Sequence, residues 1–417
     1  MEEKEGGVTT PQGFKAAGVF AGIRRKKKDM ALIYSEVPCV VAGTFTTNIV
    51  KAAPVKWDME MVKNSPYVQA VVVNSGVANT CTGAAGMSHC KDMAETTGML
   101  LDIPAEAVLV ASTGLIGKQL PMDKIKLGIQ NLVPMLGSSH EDASLAAEAI
   151  LTTDTRKKEL AVEIELGGKK VVIGGMCKGS GMIHPNMCTM LAFITTDACI
   201  SKELLQEALS SDVNDTYNMI SVDGDTSTND TVLLLANGLA GNEEIKEKNQ
   251  DYQKFVEALN FINTYFAKRI AEDGEGATSL FEAKVINAAD KEQAAKLAKS
   301  IISSSLTKAA IFGRDINWGR IVCAMGYSGA QFDPDGVDLY FESSVGKIKL
   351  IEDGVEMLYS KDAAEKILSQ PEITVIVDIK MGCASATAWG CDLTYDYVRI
   401  NAAYTSWEVP NGNRSYA

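Results

Sequence analysis

The chain has 417 residues, 46% of them hydrophobic and 22% charged, which is ordinary globular usage. That length suits two or three domains or one large α/β unit with a sizeable core. A net charge of −13 with a pI near 4.9 argues against a nucleic-acid partner, and no stretch approaches the ~18 consecutive apolar residues that span a bilayer.

The start, MEEKEGGVTT, is acidic and polar and lacks the basic and apolar regions of a secretory signal, so a cytoplasmic protein is expected. The one basic run, RRKKK at 24–28, reads as a solvated loop. Strand-like runs follow at ALIYSEV, AVVVNSG and VLVAST. DASLAAEAIL then has apolar residues at helical spacing. VEIEL-GG-KKVVIGG predicts a hairpin turning at Gly167-Gly168. Further on, SKELLQEALSSDV predicts a helix with Ser201 as N-cap, TVLLLANG a strand, DYQKFVEALNFINTYFAKRI a long amphipathic helix, and EITVIVDI another strand. Several strands follow one another with no helix between them. This favours an α/β fold of sheets packed against each other with outer helices over a doubly wound parallel sheet.

No internal repeat or low-complexity linker marks a domain boundary. The nine cysteines are odd in number, scattered, and never spaced C-x-x-C, so neither a disulfide framework nor a zinc ribbon is indicated. Most are expected to be buried thiols.

Several motifs fail on their chemistry. VDGDTSTND, 222–230, begins like a calcium loop, but its twelfth position is Leu234 counted from Asp223, or Ala236 from Asp225, and no bidentate carboxylate stands there. It reads as a polar turn. GGMCKGSG has glycine where a phosphate loop needs its lysine. His89, His140 and His184 are too dispersed for a metal site, and His184, a candidate base only by nearness, reads as a loop residue before proline.

The stretch HPNMCTMLAF, 184–193, places Thr189 between a bend and an apolar run. A threonine at a strand edge ordinarily satisfies its hydroxyl on nearby backbone. A sharper reading stands beside that one. The flexible GSGM and the bend-forming His-Pro-Asn before Thr189 favour a strained 188–189 bond. Attack of the Thr189 hydroxyl on the Cys188 carbonyl would then give an ester, and its hydrolysis a new chain start at Thr189. A free α-amine has a pKa of about 7.7–8.0 and serves as base beside its own hydroxyl.

KGSGMIHPNMCTMLAFITTDA closely resembles the self-cleavage segment of the ornithine acetyltransferases, the bifunctional glutamate N-acetyltransferases of arginine biosynthesis. GGVTTPQGFKAAGVFAGI, SEVPCVVAGTFTTN, VVNSGVANTCTG, ASTGLIG, ILTTDT, EDGEGAT, KAAIFGRDINWGRI and YVRINAAYTS resemble further blocks in that family's order, up to about residue 406. The resemblance implies an N-terminal-nucleophile-like fold, an α-β-β-α-like sandwich. It also implies cleavage into chains 1–188 and 189–417, which stay together and assemble as a heterotetramer of two of each. Thr189 would take the acetyl group from N-acetylornithine and pass it to glutamate, and many members also accept acetyl-CoA.

By the same resemblance Thr113 and Gly114 form the oxyanion hole, Lys178 binds substrate carboxylate, and Glu275 contacts substrate amino groups. Thr152, Asn401 and Ser406 are further binding positions. Read without the family, these would be a turn after a strand (Thr113, Gly114), a surface lysine (Lys178), an exposed glycine-rich turn (Glu275) and an Asn at a strand end (Asn401). No metal or tightly bound cofactor is implied. Two positions depart from the family's usage: Cys188 where alanine is frequent, and Ile316 where proline is common. The tail 407–417 runs past its usual end. Two alternatives remain on the residues alone: an N-terminal-nucleophile amidohydrolase, in which water takes the acyl group, and a non-enzymatic amino-acid-binding protein.

Overall fold

The continuous apolar run in AVVVNSG sets the architecture. Along the strand Val68–Val77, Ala70 and Val72 face one way and Val71 and Val73 the other, and all four are fully buried. A strand apolar on both faces has to be covered on both. The computed structural model, which describes residues 1–184 and 190–403, shows how that is done.

Among the described residues a nine-stranded sheet folds over on itself. The 16-residue strand Met30–Phe45 belongs to both layers. Its first part pairs with Phe14–Val19 and Val68–Val77, and its last part with Thr231–Ala236, with an irregularity between Tyr34 and Cys39 where the chain changes layer. Between the layers lies an inner core of Ile33, Val71, Val73 and Leu109 from one and Met176, Phe193, Leu233 and Leu235 from the other. Each such side chain contributes about 1.5–3 kcal/mol by leaving water. Outside the first layer the helices Ala53–Asn64, Gly83–Leu101 and Met122–Leu132 cover Leu32, Val72 and Val110. Outside the second, Lys202–Asp215 and Gln250–Glu272 cover Ile173, Ile194, Val232 and Leu234. The expected sandwich of sheets with outer helices is therefore present.

A further seven-stranded sheet, built mainly from residues after 280, continues the same core on the far side of the long helix through Phe281, Ala283 and Val285. Every element named from pattern exists. Gly167 and Gly168 turn the hairpin with φ of 55° and 77°, the left-handed pair a two-residue turn requires. Ser201 accepts a hydrogen bond from Leu204 N at 3.4 Å as the N-cap. The helix Gly83–Leu101 was not legible, because Gly83, Gly86 and Gly98 lower helix propensity and its apolar stripe is weak.

Two expectations need correction. Of eight described cysteines only Cys39, Cys90, Cys177 and Cys391 are buried, while Cys81, Cys323 and Cys383 are exposed. The basic run is solvated at Arg25, Lys26 and Lys27, but Arg24 is buried, because its guanidinium donates to the carbonyls of Leu151 at 2.6 Å and Thr152 at 3.1 Å.

Strands from either side of residue 188 interleave. Leu191–Thr196 lies between Lys169–Lys178 and Thr231–Ala236, and the latter pairs with Met30–Phe45. A one-residue slip in any of these pairings would turn buried faces outward, so the register at their ends is fixed. No described helix is long and apolar enough to cross a membrane.

Candidate active site

At one end of the folded sheet, five strands bring their termini together. Val68–Val77 and Val108–Leu115 run parallel and end there, as does Lys169–Lys178, while Leu191–Thr196 and Thr231–Ala236 begin there. The cavity between them has a volume of about 350 Å³. Thr113, Gly114, Thr152, Lys178 and Asn401 all line it, together with Met190, which follows Thr189 in sequence. Thr189, Cys188 and Ser406 lie outside the described residues, as does the expected boundary between the chains 1–188 and 189–417.

The Thr113-Gly114 turn is shaped by glycine. Gly114 has φ +131°, and a Cβ on it would stand 2.3 Å from the carbonyl carbon of Gly76 on the neighbouring strand. No other residue fits there without moving one strand. The turn is also braced from the other layer. Asn229 Nδ2 donates to the carbonyls of Ala78 at 2.6 Å and Ser112 at 2.8 Å, and Asn229 Oδ1 accepts from Thr80 Oγ1 at 2.7 Å. One buried amide thus ties the strand before Thr113 to the strand beside Met190.

Lys178 is buried, not a surface lysine, and its ammonium stands 3.8 Å from Asp154 Oδ2. Behind it is a buried ionic cluster. Lys158 Nζ lies 2.8 Å from Asp154 Oδ1 and 2.6 Å from Asp273 Oδ2, with all three side chains at most 2% exposed. Asp154 also accepts from the backbone N–H groups of Gly179 at 2.7 Å and Thr152 at 3.0 Å. Burial pushes the Asp154 carboxyl up, but Lys158, Lys178 and the Gly179 N–H outweigh it and hold it below the usual carboxylate range. The cluster therefore locks the Thr152 loop to the end of the Lys178 strand.

Glu275 is buried as well, correcting the exposed-turn alternative. Its backbone N–H donates to Ser180 O at 3.1 Å, and its carboxylate lies over Gly181, where a Cβ would meet it at 2.4 Å. Asn401 Nδ2 donates to Glu275 Oε2 at 2.6 Å. Asn401 sits in the helix Tyr395–Ala402 rather than at a strand end.

The segment VDGDTSTND is a polar turn, and it does more than the sequence indicated. Asp223 accepts from the backbone N–H groups of Met182 at 2.7 Å and Ile183 at 2.8 Å, bracing the chain that leads toward residue 188. Met182 there has φ 56°, a left-handed conformation uncommon for a side chain of its size. Ser227, Thr228, Asn229 and Asp230 line the cavity. The missed signal was a dense polar run immediately before the buried strand TVLLLA. His184 Nδ1 lies 3.0 Å from Ser221 Oγ, and burial, reinforced by Lys299, pushes the imidazole down to about 4. It is therefore neutral near pH 7. Among the described residues no cluster of three His, Cys, Asp or Glu groups could hold a metal.

Residues 15–406 match the ArgJ family. The arginine biosynthesis bifunctional protein ArgJ of Thermotoga neapolitana is 53% identical over 395 residues, covering 94% of this chain and 99% of its own. That of Caldanaerobacter subterraneus is 51% identical over 404 residues, covering 97% and 100%. Among solved structures, the ornithine acetyltransferase of Mycobacterium tuberculosis, complexed with ornithine, is 41% identical with a TM-score of 0.42, covering 44% of this chain and 96% of that one. Both relatives are matched over essentially their whole length, and the family match spans all but the two ends of the sequence. The chain belongs to the ArgJ family.

Proposed function

We propose that this protein is a glutamate N-acetyltransferase of arginine biosynthesis that carries the acetyl group of N-acetylornithine on Thr189 and delivers it to glutamate. The observation that carries this reading is the gathering of Thr113, Gly114, Thr152, Lys178 and Asn401 around one cavity next to Met190, although they are spread over nearly 300 positions of the chain. Full-length likeness to the bifunctional relatives supports it.

Self-cleavage between Cys188 and Thr189 comes first, giving chains 1–188 and 189–417. Their interleaved strands would keep the two pieces in one folded unit. The new α-amine then takes the proton of the Thr189 hydroxyl as that oxygen attacks the acetyl carbonyl. The Thr113 hydroxyl and the Gly114 N–H stabilise the tetrahedral oxygen, the proton held on the α-amine passes to the ornithine nitrogen as its bond to the acetyl carbon breaks, and ornithine leaves. Lys178 meets the substrate carboxylate, an arrangement an acidic protein needs at an anionic group. Glu275, held by Asn401, meets the amino group, and Thr152 and Ser406 complete the binding surface. Glutamate then attacks the acetyl-Thr189 ester. Acetyl-CoA as a second donor, assembly as a heterotetramer and a cytoplasmic setting belong to the same proposal.

Acceptor dependence tests it. N-acetylornithine should be consumed only when glutamate is present, with N-acetylglutamate formed in equal amount. Consumption without glutamate, with acetate accumulating, would instead establish an amidohydrolase of the N-terminal-nucleophile type. Acetyl-CoA and glutamate as sole substrates decide the second donor.

Thr113→Ala removes one oxyanion donor and little else, since the side chain is only half-buried. Its kcat should fall by about 10²–10³, with KM changed far less, as expected for a contact made mainly in the transition state. A proportionate rise in KM at unchanged kcat would assign Thr113 to binding.

A further inference from the structure

Asp230 is used by none of the steps above. It lines the cavity, is 2% exposed, and its Oδ2 has no hydrogen-bond partner among the described residues. A buried carboxyl that leaves one oxygen without a partner, on a residue lining a cavity, is poorly suited to a purely structural role. The groups that act on it are the hydroxyls of Ser227 and Thr46 and the Lys178 ammonium, from the strand on the far side of Leu191–Thr196. Burial is the largest influence and pushes the carboxyl well above the ordinary carboxylate range, which favours the protonated acid.

The backbone fixes what this acid stands beside. Thr231 N donates to Met190 O at 2.9 Å, and Thr231 pairs in parallel register with Leu191. Asp230 therefore enters the sheet next to Met190, and Met190 is bonded to Thr189. We infer that Asp230 is the proton carrier for the nitrogen of Thr189, during self-cleavage and afterwards. The inference rests on the reading of Thr189 as the self-processing nucleophile.

In the precursor the bond from Thr189 Oγ to the Cys188 carbonyl carbon forms, and the bond from that carbon to the Thr189 nitrogen breaks. The departing nitrogen needs a proton, and the hydroxyl has one to lose. A carboxylic acid does both: it donates its proton to the nitrogen through one oxygen and accepts the hydroxyl proton through the other, ending as it began. Water then adds to the ester carbon, the bond to Oγ breaks, and Cys188 is left as a carboxylate with Thr189 carrying a free amine. In the processed enzyme the same carboxyl sets the pH at which that amine becomes a base.

Asp230→Asn keeps the shape and removes the transferable proton. Followed by intact mass after synthesis, its cleavage should be slower by about 10²-fold or more, the usual contribution of a positioned acid or base. The fraction that does process should show the acidic limb of its kcat/KM profile displaced from that of the unaltered enzyme. Asp230→Glu, which restores the carboxyl one methylene further out, should recover part of the cleavage rate. Cleavage of Asp230→Asn at the unaltered rate with an unmoved pH profile would overturn the proposal. If that variant does not fold, as judged by thermal melting, Asp230→Glu decides alone: slowed cleavage with an altered pH dependence supports the proposal, and unaltered behaviour overturns it. Failure here is distinct from failure of the underlying reading, which would show as continued cleavage in Thr189→Ala.

Discussion

Thr189→Ala should give a single 44.7 kDa polypeptide in place of two fragments, with no measurable acetyl transfer. The loss in turnover is expected to be on the order of 10⁴-fold or more, the scale on which removing a covalent nucleophile acts. Under the proposed mechanism both effects have one cause, because the hydroxyl that would open the chain is the hydroxyl that would later carry the acetyl group. Thr189→Ser retains an oxygen at the same place and should still cleave. Cys188 precedes Thr189 and would bring a second nucleophilic atom to the proposed cleavage bond, so Cys188→Ala is the necessary partner experiment and should cleave normally. Denaturing electrophoresis with terminal sequencing reads all three. Cleavage in Thr189→Ala, lost in Cys188→Ala, would transfer the role to the thiol.

Asp154→Ala should lower unfolding stability by about 3–5 kcal/mol, the usual consequence of stranding a buried charge. Asp154 is in contact with Lys158 at 2.8 Å and lies 3.8 Å from Lys178, and both lysines are buried. Removing the carboxylate leaves Lys158 with Asp273 alone, at 2.6 Å, and frees the N–H groups of Gly179 and Thr152. Chemical denaturation at neutral pH measures the loss.

The pH dependence has a definite sign. Because the folded Asp154 carboxyl is held below its ordinary range, its stabilisation is present above a pH of about 4 and is lost as pH falls through the folded value. For Lys158, burial lowers the ammonium pKa but Asp154 and Asp273 more than reverse that, so its contribution is present below about pH 10.4 and lost as pH rises through the raised value. The gap between the unaltered protein and Asp154→Ala should therefore be constant across neutral pH and narrow only in strong acid or strong base. A gap that closed between pH 5 and 7 would assign the effect to some other group. Activity should fall too, since the cluster sets the position of the Thr152 loop against Lys178.

What was legible without coordinates was local. The strand-like apolar run within Val68–Val77, the Gly167-Gly168 turn and the Ser201 cap each express a preference decided within a few residues, by β propensity, by left-handed φ, or by one hydroxyl meeting one N–H. The candidate residues of the site were also named from sequence, but only through a resemblance of whole blocks, which says nothing of why a lysine or a glutamate at those places should be buried.

Tertiary structure decided the rest. Gly114 is required because Gly76 lies against it from another strand. Asn229 and Asp230 reach the cavity because Thr231–Ala236 pairs in parallel with Leu191–Thr196 and antiparallel with Met30–Phe45, contacts across 40 and nearly 200 residues. Arg24 leaves its solvated run because the carbonyls of Leu151 and Thr152 arrive beside it. The charge states follow the same rule: an aspartate is held ionised at 154 and pushed toward its acid at 230 by what surrounds it, and those surroundings come from distant parts of the chain. Propensity is written residue by residue, whereas burial and proximity exist only once the layers have closed.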